Sequence, residues 1–222
     1  MPRLVLSLLL GFTLASAKSQ HKPAAPKPSE IASSQIYRNA TFAFRFEIPY
    51  GWVDRTQQMR DNANSNGQDQ PSDRATKATA ASNGELLLAI FERPPDAIGD
   101  TINSAVIIVS ESVAAYPGLK KAEDYIAPLK ELTAAKGFKA EGDPSIIEID
   151  SRQLICASFS KPLAGKSSAD VSGNASLTMR QSTLIMVAKG RIVSFTFVAG
   201  SEDELDALLD GLHFGRAKSL PH

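Results

Sequence analysis

The clearest pattern of apolar and polar positions lies between Thr183 and Phe214. Leu184-Ile185-Met186-Val187-Ala188 is a continuous apolar run, as a strand covered on both faces requires. Lys189-Gly190 then supplies a two-residue hairpin turn, because glycine accepts positive φ. In the next strand Val193, Phe195 and Phe197 share one face, while Ile192, Ser194, Thr196 and Val198 share the other, so an aromatic face is expected to meet a core. Ser201 with Glu204 three positions later makes a capping box, and Glu202, Asp203 and Glu204 suit the positive end of a helix dipole. Leu205, Leu208, Leu209 and Leu212 form the apolar stripe of that helix. The order is strand, turn, strand, helix.

Upstream, Phe42, Phe44, Phe46 and Ile48 alternate with Ala43, Arg45 and Glu47, which predicts a half-buried strand ending at Pro49-Tyr50-Gly51-Trp52. Glu85 to Glu92 and Ser104 to Ser110 are apolar on both alternations and predict central strands, joined through Arg93-Pro94-Pro95-Asp96 and Gly99-Asp100. Ala122, Tyr125, Ile126, Leu129 and Leu132 recur at helical spacing up to Gly137, with Pro128 expected to kink the helix or delay its regular part. Short strands over Ile146–Asp150 and Gln153–Ser160 flank a hairpin at Asp150-Ser151-Arg152, and a long strand from about Ala175 follows a polar loop. Strands outnumber helices and short turns join most of them, so the expected class is α+β: a largely antiparallel sheet of about seven strands flanked by helices.

Other stretches lack such a pattern. Residues 1–17 have Arg3, an apolar core from Leu4 to Leu14 and Ala15-Ser16-Ala17, the features of a signal peptide cleaved between Ala17 and Lys18. That core is shorter than the roughly 20 residues a helical membrane span needs, so the mature chain is expected to be exported, periplasmic or extracellular, with no span. Residues 18–35, rich in Pro, Lys and Ala, read as an extended tether. From Arg55 to Gly84 only Met59 is large and apolar, and this insertion is expected to be disordered because it buries too little to offset its ordering entropy. One domain over residues 36–214 and a tail over 215–222 complete the organisation. With 24 basic and 24 acidic residues the chain has no net charge, which argues against a nucleic-acid partner.

The strand Tyr37-Arg38-Asn39 to Phe46-Glu47-Ile48 with Pro49-Tyr50-Gly51-Trp52, and the run Gly190-Arg191-Ile192-Val193-Ser194-Phe195-Thr196-Phe197 before a capped helix, resemble the PsbP-like family. That family includes an extrinsic photosystem II subunit, a Ran-binding import factor and exported bacterial proteins. The resemblance spans about Ile36 to Phe214, apart from the insertion. It implies an α/β/α sandwich and members that act as binding modules, and no site residue of those members is matched here.

The residues that could carry chemistry are few. The histidines are His21, His213 and His222, with no metal-ligand spacing among them. His213 is expected to be a helix-end residue; it could serve as a general base only without the Gly-x-Ser-x-Gly elbow that usually accompanies one. Gly165-Lys166-Ser167 lacks the earlier glycine of a phosphate loop, since position 160 is Ser160. The single cysteine, Cys156, sits in an apolar run and is expected to be buried and inert. Trp52, the only tryptophan, either packs over the sheet end or contacts a partner. No catalytic, cofactor or metal residue is assigned. The expected function is an exported, non-enzymatic binding or accessory module for an unidentified exported or envelope protein. Two alternatives stand beside it: a carrier of a small apolar ligand, lined by Phe42, Phe44 and Phe46, and a hydrolase whose site assembles only in three dimensions.

Overall fold

A computed structural model describes residues 35–64, 84–95, 97, 101–163 and 177–215, all within the unit Ser34–His222. The leader with Ala17 and Lys18, the tether up to residue 34, Gly165-Lys166-Ser167 and the tail beyond Gly215 lie outside the described residues. The described strands are β1 (Gln35–Asn39), β2 (Phe44–Ile48), β3 (Val53–Asp54), β4 (Glu85–Phe91), β5 (Ala105–Ser112), β6 (Lys139–Ile149), β7 (Arg152–Pro162), β8 (Thr178–Ala188), β9 (Arg191–Ala199) and β10 (Leu212–Phe214). The described α-helices are α1 (Thr56–Asn64), α2 (Ile126–Ala134) and α3 (Glu202–Leu209).

Seven strands form one antiparallel sheet in the order β3-β4-β5-β9-β8-β7-β6. The fold is α+β. The opening strand does not join this sheet: β2 pairs with β1 and β10 in a separate three-stranded antiparallel sheet. Its aromatic side chains are what bind the two sheets together. Phe44 meets Phe195 edge to face at 5.0 Å between ring centroids, and Phe46 meets Phe197 at 6.2 Å. Val106, Ile108, Leu184, Met186 and the leucines of α3 complete this core. Edge-to-face contacts of this kind add about 0.5–1.5 kcal/mol to the area buried.

The other face of the large sheet carries two smaller clusters. Ile155, Phe159, Ile185 and Ile192 pack with Tyr125 and Leu129, and Ala89, Phe91 and Ala105 pack with Met59 of α1. Pro128 falls in the first turn of α2, where its missing N–H is no loss, and a 3-10 turn over Ala122–Tyr125 precedes it. Lys189 and Gly190 both have positive φ, as do Asp150 and Ser151, so both expected hairpins close in two-residue turns. Ser201 accepts the Glu204 N–H at 3.2 Å, while the Glu204 carboxylate reaches back to the Gly200 N–H at 3.1 Å and accepts from the Ser104 hydroxyl.

The stretch expected to be disordered departs from that expectation over residues 56–64, which form α1; residues 65–83 lie outside the described set. Apolar content misses what α1 does, because its role is mainly polar. β3 pairs with β4 only at Val53↔Phe91 and Asp54↔Ile90, which leaves the rest of the β4 edge without a strand. There the Ala89 N–H donates to Thr56 Oγ1 at 2.9 Å, and the Arg55 N–H donates to the Ala89 carbonyl at 2.9 Å. Arg60 donates to the carbonyls of Leu86 (2.7 Å) and Leu87 (3.3 Å), where a bulge breaks the ladder. Buried backbone groups need partners, and α1 supplies them.

Candidate functional site

Polar side chains converge at two places in the described fold. The first is internal. Glu111, near the end of β5, is 4% exposed, and its two carboxylate oxygens accept the hydroxyls of Tyr116 (3.0 Å) and Tyr125 (2.5 Å). The two rings meet edge to face at 5.1 Å. Burial, then the bond to Glu111, raises Tyr125 above the ordinary phenol value, and burial is also the largest cause of the rise at Tyr116. Both phenols therefore stay protonated and donate. A carboxylate this enclosed, with a hydroxyl on each oxygen, fixes the turns after β5.

The second is on the surface. His213 lies in β10 rather than at a helix end, because Gly211 ends α3 and lets the chain pair with β2. The Gly211 carbonyl accepts the Glu47 N–H at 2.9 Å, and a Cβ at Gly211 would come within 3.2 Å of that region's backbone. The His213 ring stands between two carboxylates, with Nε2 3.5 Å from Glu47 and Nδ1 3.5 Å from Asp150. Asp150 also accepts the Phe214 N–H at 3.0 Å, and Arg152 lies over the Phe214 ring. A general base needs one ring nitrogen directed at a nucleophile while the other is oriented. Here a carboxylate faces each nitrogen. The arrangement ties the small sheet to the β6–β7 turn.

The remaining candidates sit apart. Phe42, Phe44 and Phe46 are buried in the main core, and they line neither of the two clefts described next. That packing does not favour a carrier cavity lined by these three rings. One cleft, of about 620 Å³, lies between Tyr37, Asp54, Gln57, Arg60 and Leu87. The other, of about 380 Å³, lies between Lys120, Lys121, Glu123, Ile146, Ile155 and Val187. Cys156 is half-buried against the main core with Sγ 3.4 Å from the Ser182 hydroxyl. Among the described residues no group of His, Cys, Asp and Glu side chains is placed to hold a metal ion.

Among the described residues, the turn that ends β2 is the most exposed aromatic feature. The Trp52 N–H donates to the Pro49 carbonyl at 3.3 Å, and Gly51 at φ +83° takes the position where a type II turn requires positive φ. Trp52 packs against the main core and anchors one end of the turn. Tyr50, at its corner, is 83% exposed. Proline and glycine in the sequence mark this turn, but which of its two aromatics faces outward depends on tertiary packing.

Comparison with protein-family models and with curated proteins finds no match. Solved structures of similar chain path include PsbP from Synechocystis sp. PCC 6803, at 13% identity and a TM-score of 0.43, covering 87% of this chain and 99% of that one. The Saccharomyces cerevisiae Ran-binding protein Mog1p has 11% identity and a TM-score of 0.42, over 82% of this chain and 95% of its own. LpqN of Mycobacterium tuberculosis, described as involved in cell envelope biogenesis, has 13% identity and a TM-score of 0.37, over 84% and 88%. At such identities the likeness concerns the fold and says nothing of activity.

Proposed function

We propose that this chain is an exported, non-enzymatic binding module that docks a protein partner through the Pro49–Trp52 turn. The observation that carries this reading is the exposed Tyr50 on a turn whose far end, Trp52, packs half-buried against the core. An exposed aromatic on a rigid support offers large contact area at little entropic cost, and tyrosine is enriched among residues that dominate interfaces. Trp52 itself then acts as an anchor beneath the contact. Export rests on the leader and its Ala17–Lys18 junction, and no described helix is long and apolar enough to cross a membrane.

Site-specific photo-crosslinking tests the reading. A benzoyl-phenylalanine placed at Tyr50 in the full chain, activated in intact cells, is expected to capture one discrete protein. The same group at Asp206, on the exposed face of α3, is expected to capture none of it. Equal capture at both positions, or no adduct at Tyr50, would contradict the assignment.

A further inference from the structure

The two edges of the seven-stranded sheet are finished in different ways. Along β4 the open backbone groups are taken up by Thr56, Arg55 and Arg60 of the α1 region. At the opposite edge β6 pairs, among the described residues, only with β7. The first half of β6 carries Lys139, Glu141 and a bulge containing Gly142, Asp143 and Pro144, the kinds of feature that keep an edge from pairing. Its second half, Ser145–Ile149, has neither proline nor a bulge.

The hairpin geometry identifies which groups are open. Asp150 and Ser151, both at positive φ, make the two-residue turn, so Ile149↔Arg152 is the hydrogen-bonded pair that closes it. Glu148↔Gln153 and Ile146↔Ile155 are then non-hydrogen-bonded pairs, with Ile147↔Leu154 between them. The N–H and C=O groups of Ile146 and Glu148 therefore point away from β7 into the open edge. Their side chains share a face. Ile146 is 63% exposed beside the cleft floored by Ile155 and Val187, and Lys120, Lys121 and Glu123 lie around that cleft. Glu148 is exposed and makes no ion pair among the described residues.

We propose that Ser145–Ile149 accepts an extended segment of a protein partner as an added eighth strand, with an apolar residue opposite Ile146 and a lysine or arginine opposite Glu148. The open backbone groups select an extended chain, since only a strand can satisfy donors and acceptors at alternate residues. Charge fixes the rest. A basic side chain opposite Glu148 gains a cross-strand partner, whereas one opposite Ile146 would meet an apolar floor beside Lys120 and Lys121. The partner signature is an apolar and a basic residue two positions apart. This deepens the binding-module reading, on which it rests, with a surface other than the Tyr50 turn.

The test is an amide NMR titration of the full chain with the capped peptide Thr-Thr-Lys-Thr-Val-Thr-Thr, up to about 1 mM. The Ile146 and Glu148 amides are expected to shift most and to gain protection from solvent exchange. Ile146→Pro removes an outward N–H without touching the β6–β7 ladder and is expected to weaken binding about tenfold, the loss expected from roughly one backbone hydrogen bond. Glu148→Lys is expected to favour the peptide with Glu in place of Lys, and it decides the matter if the proline variant has a lowered melting midpoint. Absent shifts, shifts centred elsewhere, or unchanged peptide preference in Glu148→Lys would overturn the proposal. So would self-association abolished by Ile146→Pro, which would place a second copy of the chain on this edge. Failure here with the Tyr50 adduct intact removes only the β6 surface, whereas loss of the adduct speaks to the binding-module reading.

Discussion

Glu111 shows why single residues hid their roles. In the sequence it is one acidic position at the end of an apolar run. Only the fold brings Tyr116 and Tyr125 onto its two oxygens. Tyr125→Phe would leave one buried carboxylate oxygen without its donor, so a loss of about 1–3 kcal/mol is expected, measurable by denaturant unfolding. The pH dependence has a definite sign. Both phenols are raised in the fold from 10.0, so their contribution is fully present below that unfolded value and declines as pH rises beyond it. Ultraviolet titration is expected to show these two tyrosines ionising only as the protein unfolds. Free, gradual ionisation of all the tyrosines in the native state would contradict the arrangement. Cys156, half-buried beside Ser182, is expected to react with a thiol reagent far more slowly in the native protein than in denaturant.

At the scale of elements, periodicity made β5, β8, β9 and α3 legible, because burial on one or both faces leaves a direct mark on residue choice. The two hairpins were also readable, at Lys189-Gly190 and Asp150-Ser151-Arg152, although Arg152 belongs to β7 and not to the turn. α1 was not. Its stabilising contacts are hydrogen bonds from Thr56 and Arg60 to the β4 backbone, and such contacts leave no apolar signature. The small sheet was hidden too, since the alternation over Phe42–Ile48 says that one face is buried without saying which sheet it joins. A pair of deletions separates these roles. Replacing residues 65–83 by a short Gly-Ser link is expected to leave the melting midpoint near its original value, because loop-closure entropy changes only with the logarithm of length. Extending the replacement to Thr56 uncovers the β4 edge and is expected to lower the midpoint clearly. Thr56→Val, which removes only the acceptor for the buried Ala89 N–H, is expected to cost about 1–3 kcal/mol. Equal midpoints for the two deletions would show that α1 does not support the sheet.

On the scale of the whole molecule, the core lies mainly between the two sheets and α3, with α1 and α2 on the opposite face of the large one. Groups often used in chemistry are engaged within this fold: Glu111 by two phenols, and His213 by Glu47 and Asp150. The sequence carried the fold class because layers are built from periodic burial, and it did not separate the exposed Tyr50 and Ile146 from the packed Trp52, because exposure is set by tertiary packing. The leader adds one expectation of its own: N-terminal sequencing of exported protein should begin at Lys18, and mature protein retaining Met1 would contradict export by this route. Quantitative co-purification of the tagged full chain from its native cells bears most directly on the central reading. Wild type is expected to retain one protein in near-stoichiometric yield, and Tyr50→Asp, with an unchanged melting midpoint, is expected to lose it. Equal retention by the folded Tyr50→Asp chain, or no stoichiometric companion to wild type, would contradict a binding module that docks through this turn.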